Sequence, residues 1–104
     1  MIIEYGSKYK NSLKSIKKRH KESDTLEMVL NHIRQCMDFN ELKTSAISQM
    51  YEYEALKYEL NGYHSFNLNK KGGKRRLIFS TDNNQTITLE YISVEHYEDF
   101  KNKL

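Results

Sequence analysis

The stretch "RRLIFSTDNNQTITLEYISV", Arg75 to Val94, decides the predicted fold. Its two outer parts, Arg75 to Thr81 and Thr86 to Val94, are rich in β-branched and aromatic residues, which favour strands. Between them, "DNNQ" supplies Asp and Asn, whose short polar side chains favour turns. The stretch therefore predicts two antiparallel strands joined by a tight turn.

A further strand is predicted before this hairpin. The larger side chains of His64, Phe66 and Leu68 alternate with small polar ones, which is the period of a half-buried strand. The segment "KKGGK", Lys70 to Lys74, supplies the turn into the next strand. Two consecutive hairpins predict an antiparallel meander, with His64 as a core histidine on its buried face.

The N-terminal half predicts a strand and two helices. "MIIEY", Met1 to Tyr5, is typical of a short strand, and Ser7 after it suits a helix N-cap. Asp24 followed by Glu27 resembles a capping box, which predicts the start of a second helix. With the polar turn Lys21 to Ser23 between them, the two amphipathic helices are expected to pair as a hairpin.

An apolar stripe on the second helix is expected to cover the sheet, because the apolar face of a sheet must be buried against another layer. The stripe consists of Leu26, Val29, Leu30, Ile33 and Met37.

The predicted fold class is α+β in a single domain, residues 1–104. An N-terminal strand and a helical hairpin pack on a twisted antiparallel sheet of about four strands. A short C-terminal helix, His96 to Leu104, follows the sheet. The segment Glu41 to Leu60 predicts either one more helix or a helix followed by a loop.

Composition favours a polyanionic partner and a reducing compartment. The net charge is +3, and basic residues cluster in the first quarter and between Lys70 and Arg76. Cys36 is the single cysteine, which excludes an internal disulfide, and no zinc-binding set of Cys and His is present. The N-terminus has no apolar run like that of a signal peptide or membrane span, so we expect a cytoplasmic protein that does not bind membranes.

Three residues are chemically suited to cutting RNA without a metal. The reaction needs a base for the 2′-hydroxyl proton, a cation for the charged phosphorane and an acid for the departing 5′-oxygen. Glu54, Arg76 and His96 suit these roles in that order. Arginine donates paired hydrogen bonds and keeps its charge, and histidine titrates near neutrality. Tyr97 is suited to stack on a base or orient the phosphate.

The simplest strand pairing places Arg76 beside the end of the last strand, within reach of His96. The face of that strand leading to His96 is expected to carry Thr88, Glu90, Ile92 and Val94.

Each candidate also has a structural interpretation. Glu54 fits a solvated helix, Arg76 an ordinary surface position, and His96 the N-cap region of the tail helix. The run from Lys70 to Arg76 lacks P-loop spacing and precedes a strand, so it is either a solvated hairpin or a phosphate-contacting edge.

Three segments together resemble the RelE/ParE superfamily of toxins from type II toxin–antitoxin systems, and most of all the YoeB/YafQ-like mRNA interferases. They are "EALKYELNGYHSFNLN" (Glu54 to Asn69), "RRLIFSTD" (Arg75 to Asp82) and "ITLEYISVEHY" (Ile87 to Tyr97). The resemblance implies a RelE-like fold and a ribosome-dependent endoribonuclease that cleaves mRNA in the A site. It implies attack by the 2′-hydroxyl, a 2′,3′-cyclic phosphate product and no metal or organic cofactor.

By position, the resemblance makes Glu54 the general base, Arg76 the phosphate-stabilising arginine and His96 the general acid. Phe100 follows His96 by four residues, a spacing like that of the YafQ branch, so the stacking aromatic is either Tyr97 or Phe100. The remaining RNA contacts are expected from basic residues: Lys57, Lys70, Lys71, Lys74 and Arg75.

The partners implied by the resemblance are mRNA, the ribosome with its rRNA, and a cognate acidic antitoxin that forms a hetero-oligomer with the toxin. Two rival functions remain, a non-catalytic ParE-like inhibitor of gyrase and an RNA-binding module without cleavage. Neither rival function requires the side chains of Glu54, Arg76 and His96 to lie close together.

Overall fold

The computed structural model describes residues 1–16, 20–69, 75–93 and 98–102. The strands are β1 (Ile2–Tyr5), β2 (Glu54–Ala55), β3 (Tyr63–Asn67), β4 (Arg76–Asn83) and β5 (Thr86–Ser93). The helices are α1 (Ser7–Ser12), α2 (His20–Gln35), α3 (Phe39–Thr44), α4 (Ala46–Met50) and α5 (Glu98–Lys101), with 3₁₀ turns at Leu13–Ser15 and Tyr58–Leu60.

The five strands form one mixed sheet in the order β1-β5-β4-β3-β2. The meander β3-β4-β5 is antiparallel, as predicted. The expectation of an antiparallel sheet of about four strands is corrected in two respects. β1 pairs with β5 in parallel. The helices connect β1 to the far edge of the sheet, and the meander β3-β4-β5 then runs back until β5 lies beside β1. A two-residue edge strand, β2, is also added on the far side of β3.

The first residues of both N-terminal helices differ from the prediction. α1 has Gly6 rather than Ser7 at its N-cap, where a Cβ would lie 2.8 Å from the backbone oxygen of Leu89. α2 includes the segment 21–23 that was predicted to be a turn, so Asp24 lies inside the helix. The extra turn carries Glu22, whose buried ion pair with Arg75 ties this end of the helix to the sheet.

The segment predicted as one helix, or a helix and a loop, contains two short helices, α3 and α4, followed by β2. Ser45 separates the helices because its backbone is extended, with ψ at 159°. Its side chain then accepts a hydrogen bond from the backbone N–H of Ser48 as the N-cap of α4.

The main core lies between the helices and one sheet face. Four residues of the predicted stripe on α2 are buried there, whereas Met37 lies beyond the helix and is 79% exposed. Strand residues complete this core: Phe66, Leu77, Phe79, Ile87, Leu89 and Ile92. No described helix could span a membrane.

A β-bulge in β5 determines which side chains face away from this core. Ile78 pairs with Tyr91 but Phe79 pairs with Leu89, so Glu90 is the extra residue on β5. After the bulge Ile92 returns to the main core, and Tyr91 faces the opposite side with Ile78. The prediction that Ile92 shares a face with Glu90 is therefore wrong, since it assumed unbroken alternation.

His64 lies on the core-facing side of the sheet, as predicted, and is half-buried. Its Nδ1 lies 2.8 Å from the Tyr53 hydroxyl, and its ring stacks on Phe79 at 5.2 Å between centroids. Burial lowers the pKa of His64, and the nearby Lys43 charge lowers this pKa further.

Acid should destabilise the fold through His64. The folded pKa of His64 lies below its ordinary value of 6.5. On acidification, His64 therefore takes up a proton at a higher pH in the unfolded chain than in the folded chain. The stability contributed by neutral His64 is present above about pH 6.5 and is lost as the pH falls through the lowered folded pKa. The melting temperature of the wild type should therefore drop more steeply on acidification than that of His64→Gln. Parallel pH profiles of the two proteins would contradict this assignment.

Candidate functional site

Arg76 begins β4 in the interior of the sheet. Its register partners are Asn67 on β3 and Ser93 on β5, which confirms that it lies beside the end of the last strand. Because side chains alternate along a strand, Arg76 faces the same side as Ile78, away from the main core. Its side chain is 12% exposed. A permanent positive charge therefore lies at the end of the meander, largely shielded from water.

Glu54 lies next to this charge. It pairs with Ser65 across β2 and β3, and its Oε2 is 4.0 Å from Nη1 of Arg76. The distance is within ion-pair range and longer than a hydrogen bond. The Glu54 side chain is 47% exposed, so the carboxylate is open to a ligand from solvent. The structure thus brings together the predicted base and the predicted phosphate-stabilising arginine, with Glu54 on a strand and not on a helix.

Contacts between the end of α4 and β3 position the edge strand that carries Glu54. The chain turns at Glu52, whose φ of 49° is uncommon for a residue with a side chain. Its Oε1 accepts a hydrogen bond of 3.2 Å from Nδ2 of Asn67. The Asn67 backbone N–H donates to the Tyr51 carbonyl at 2.7 Å. These two bonds hold the turn against β3 and so set the approach of Glu54 to Arg76.

Four polar atoms on this sheet face are buried without a hydrogen-bond partner in the part of the chain that the structure describes. They are Nε and Nη1 of Arg76 and the hydroxyl oxygens of Ser65 and Ser93. Both serines are 0% exposed. Sequence reasoning gave neither serine a role, because a serine within a strand carries no sign of what surrounds it. Their position opposite Glu54 and Arg76 follows only from the strand register.

His96 and Tyr97 lie outside the described residues, as do Lys70, Lys71 and Lys74. Their roles in catalysis and RNA binding stay predictions. Along the chain, Ser93 at the end of β5 precedes His96 by three positions.

Arg75 is a structural residue, which corrects its assignment to RNA contact. It is 5% exposed and forms an ion pair with Glu22. Its Nη1 donates to the Ser15 hydroxyl at 2.9 Å, and its backbone N–H donates to Oδ1 of Asn69 at 2.8 Å. Asn69 also donates to Glu22 Oε1 at 3.0 Å. The guanidinium is committed to this network and is not available at the surface.

Phe100 also belongs to a core, so the expectation that it stacks on a base is corrected. It is 1% exposed and packs with Leu56, Leu60 and Ile78 on the face that carries Arg76. Its ring centroid lies 4.9 Å from that of Tyr63, in an edge-to-face arrangement. The role of Phe100 is to hold α5 against the sheet.

Lys57 is exposed and follows β2, three residues after Glu54. This position is compatible with its predicted contact to RNA. A separate cleft of about 260 Å³ lies between α1 and β5, lined by Lys8, Asn11, Ser12 and Tyr91. No three His, Cys, Asp or Glu residues within the described ranges are grouped to hold a metal ion.

Solved structures share this architecture. A chain of the DinJ–YafQ toxin–antitoxin complex from E. coli matches with a TM-score of 0.64 and 22% identity, over 93% of this chain and 92% of that one. The YoeB/ParE toxin from Agrobacterium tumefaciens matches with a TM-score of 0.65 and 11% identity, over 92% and 100%. A chain of the heterotetrameric YoeB–YefM toxin–antitoxin complex from Staphylococcus aureus matches with a TM-score of 0.60 and 18% identity, over 92% and 98%.

The fold of this chain is therefore the α+β fold of RelE-like toxins, as the sequence predicted. No protein-family model and no curated protein matches the sequence.

The structural role of Arg75 can be tested by removing its side chain. Arg75→Met removes the ion pair to the buried Glu22 carboxylate, so unfolding should become easier by about 3–5 kcal/mol. The matched control Arg34→Met, at an exposed arginine of α2, should change the free energy of unfolding by less than about 1 kcal/mol. Replacing both partners in Glu22→Leu/Arg75→Met should recover most of the loss. Equal effects of the two arginine substitutions in denaturant titrations would restore Arg75 as a surface residue.

Proposed function

We propose that this chain is the toxin of a type II toxin–antitoxin system and acts as a ribosome-dependent endoribonuclease, cleaving mRNA in the A site without a metal ion. The observation that carries the proposal is the approach of Glu54 Oε2 to within 4.0 Å of Arg76 Nη1 on the face of a RelE-like sheet. A carboxylate and a shielded guanidinium at this separation can act on two sides of one phosphodiester.

In the proposed reaction, Glu54 takes the proton of the 2′-hydroxyl as its oxygen attacks the adjacent phosphorus. Arg76 stabilises the negative charge that accumulates on the phosphorane oxygens. The bond from phosphorus to the 5′-oxygen then breaks, and His96 donates the proton that this oxygen needs. The products are a 2′,3′-cyclic phosphate and a free 5′-hydroxyl. Tyr97 orients the substrate beside His96.

The surroundings of Arg76 support this role. The Arg76 side chain is 12% exposed, and its Nε and Nη1 have no hydrogen-bond acceptor among the described residues, so the charge of this guanidinium is not already satisfied within the described part of the chain. Glu54 is an imperfect partner at 4.0 Å. A phosphate oxygen can accept the paired hydrogen bonds that arginine donates. An ordinary surface arginine would already satisfy its donors with water.

Lysines around this face are proposed to bind RNA. Lys57 is exposed near β2, and Lys70, Lys71 and Lys74 belong to the connection between β3 and β4. Contacts of this kind neutralise phosphates and release counterions, so binding to the ribosome should weaken steeply with salt.

The proposed protein partner is a cognate acidic antitoxin, with which the toxin forms a hetero-oligomer in the cytoplasm. The toxin–antitoxin complexes among the structurally similar proteins support this proposal. A net charge of +3 favours an acidic partner.

Substitutions at the site should separate cleavage from binding. On ribosomes programmed with a defined mRNA, Arg76→Ala should lower the cleavage rate by about 10²–10³, because a preorganised donor to the developing charge is lost. Glu54→Gln and His96→Gln should each lower it by about 10²–10⁴, because each removes a proton-transfer group. The control Arg34→Ala, on an exposed surface of α2, should cleave like the wild type. Mapping of mRNA ends should find a 2′,3′-cyclic phosphate at each cut.

The rival functions predict a different pattern. A ParE-like gyrase inhibitor or a non-cleaving RNA-binding module would leave the message intact on ribosomes. Growth arrest in cells that express Arg76→Ala or His96→Gln at wild-type levels would then favour the binding function and reject the nuclease.

A further inference from the structure

Two buried serines adjoin Arg76 on the face of the sheet opposite the main core. Ser93 is the direct register partner of Arg76, and Ser65 is the register partner of both Glu54 and Ile78. Both hydroxyls are sealed from solvent and lack a hydrogen bond to any described residue. Nε and Nη1 of Arg76 are likewise buried and lack a hydrogen bond to any described residue. Two groups that can accept hydrogen bonds thus lie beside two nitrogens that must donate them.

The register suggests how these groups pair. Residues directly opposite in an antiparallel ladder have Cβ atoms about 4.5–5.5 Å apart, and diagonal neighbours lie about 7–8 Å apart. Ser93, directly opposite, is nearest the inner part of the arginine side chain and so matches Nε. Ser65 is diagonal and lies on the side of Glu54, which is also the side that Nη1 approaches. Each serine therefore has its own nitrogen.

Buried donors and acceptors seldom remain unpaired in a folded protein. In unliganded sites the hydrogen bonds used in catalysis are often long or poorly aligned, and they tighten when the substrate binds. The serine hydroxyl can rotate and accept a hydrogen bond without a backbone movement. A displacement of the guanidinium toward the two hydroxyls then completes both bonds.

The geometry points to Ser65 and Ser93 as positioning residues for Arg76. With an RNA phosphodiester bound, Nε–H of Arg76 donates to the Ser93 hydroxyl and Nη1–H donates to the Ser65 hydroxyl. The remaining N–H groups are thereby aimed at the nonbridging phosphate oxygens. This inference rests on the proposed function for the identity of the ligand, because the bound anion is taken to be the phosphate of RNA.

Serine-to-alanine substitutions test the inference through kcat. Ser93→Ala and Ser65→Ala should each lower kcat for ribosomal mRNA cleavage roughly tenfold, with a smaller change in KM. Their melting temperatures should stay the same or rise, because a buried hydroxyl without a partner is removed. The control Ser80→Ala lies on the same face of β4, but its hydroxyl donates to Glu90 at 2.5 Å, so its kcat should remain that of the wild type. Serine variants that cleave within twofold of the wild type would overturn the inference, as would a rate loss that follows a drop of several degrees in melting temperature.

A second measurement does not depend on cleavage. Solvent exchange of the Arg76 Nε–H, followed by NMR during titration with inorganic phosphate, should slow in the wild type and in Ser80→Ala but not in Ser93→Ala. If the wild type fails to cut mRNA and this difference persists, the proposed nuclease function fails while the positioning role stands. If exchange responds to phosphate alike in all three proteins, or in none of them, the positioning role is wrong.

Discussion

The pairing of β4 with both of its neighbours is the constraint on which the site depends. Arg76 lies at the start of β4, with Asn67 on one side and Ser93 on the other. Backbone hydrogen bonds on both sides fix its Cα, so the guanidinium can sample only the sheet face opposite the main core. The second core cluster, which includes Ile78 and Phe100, packs on that same face, where the Arg76 side chain is 12% exposed. Within a shielded site, a charge acts more strongly on a nearby phosphate than it would at an open surface.

Arg75 and Arg76 lie in different environments because neighbouring side chains in extended backbone point to opposite sides. Arg75 faces the helices and forms a buried ion pair with Glu22. Hydrogen bonds from Asn69 to Glu22 and from Arg75 to Ser15 extend this pair into a network. Arg76 faces the other way, where the Glu54 carboxylate lies 4.0 Å away and the Glu54 side chain is 47% exposed. One arginine is therefore satisfied within the protein, and the other keeps donors for an anion. Residue type alone does not distinguish the two arginines.

Much of the fold could be predicted from local patterns. Period-two alternation identified the meander and placed His64 on its core-facing side, and the simplest strand pairing placed Arg76 beside the end of β5. Tertiary effects account for what was missed. The bulge at Glu90 shifts the alternation of β5, and a bulge has no clear signature in "TLEYIS". The added turn of α2 depends on a partner, Arg75, more than fifty residues away.

The site itself was predictable in part. The chemistry of Glu54 and Arg76 and a family resemblance were enough to pair them, and the structure places them together. The serines beside them required the register, and the burial of Phe100 required the position of α5.

The hydrogen bonds around Arg75 also separate segment 70–74 from β4. The Leu68 backbone N–H donates to the Arg75 carbonyl, and the Arg75 N–H donates to the Asn69 side chain, so both ends of segment 70–74 are joined at its base. The first residue of β4 therefore follows directly on a closure that these hydrogen bonds fix. Variation in the length or charge of segment 70–74, during evolution or by engineering, is thus expected to leave the register of β4 unchanged.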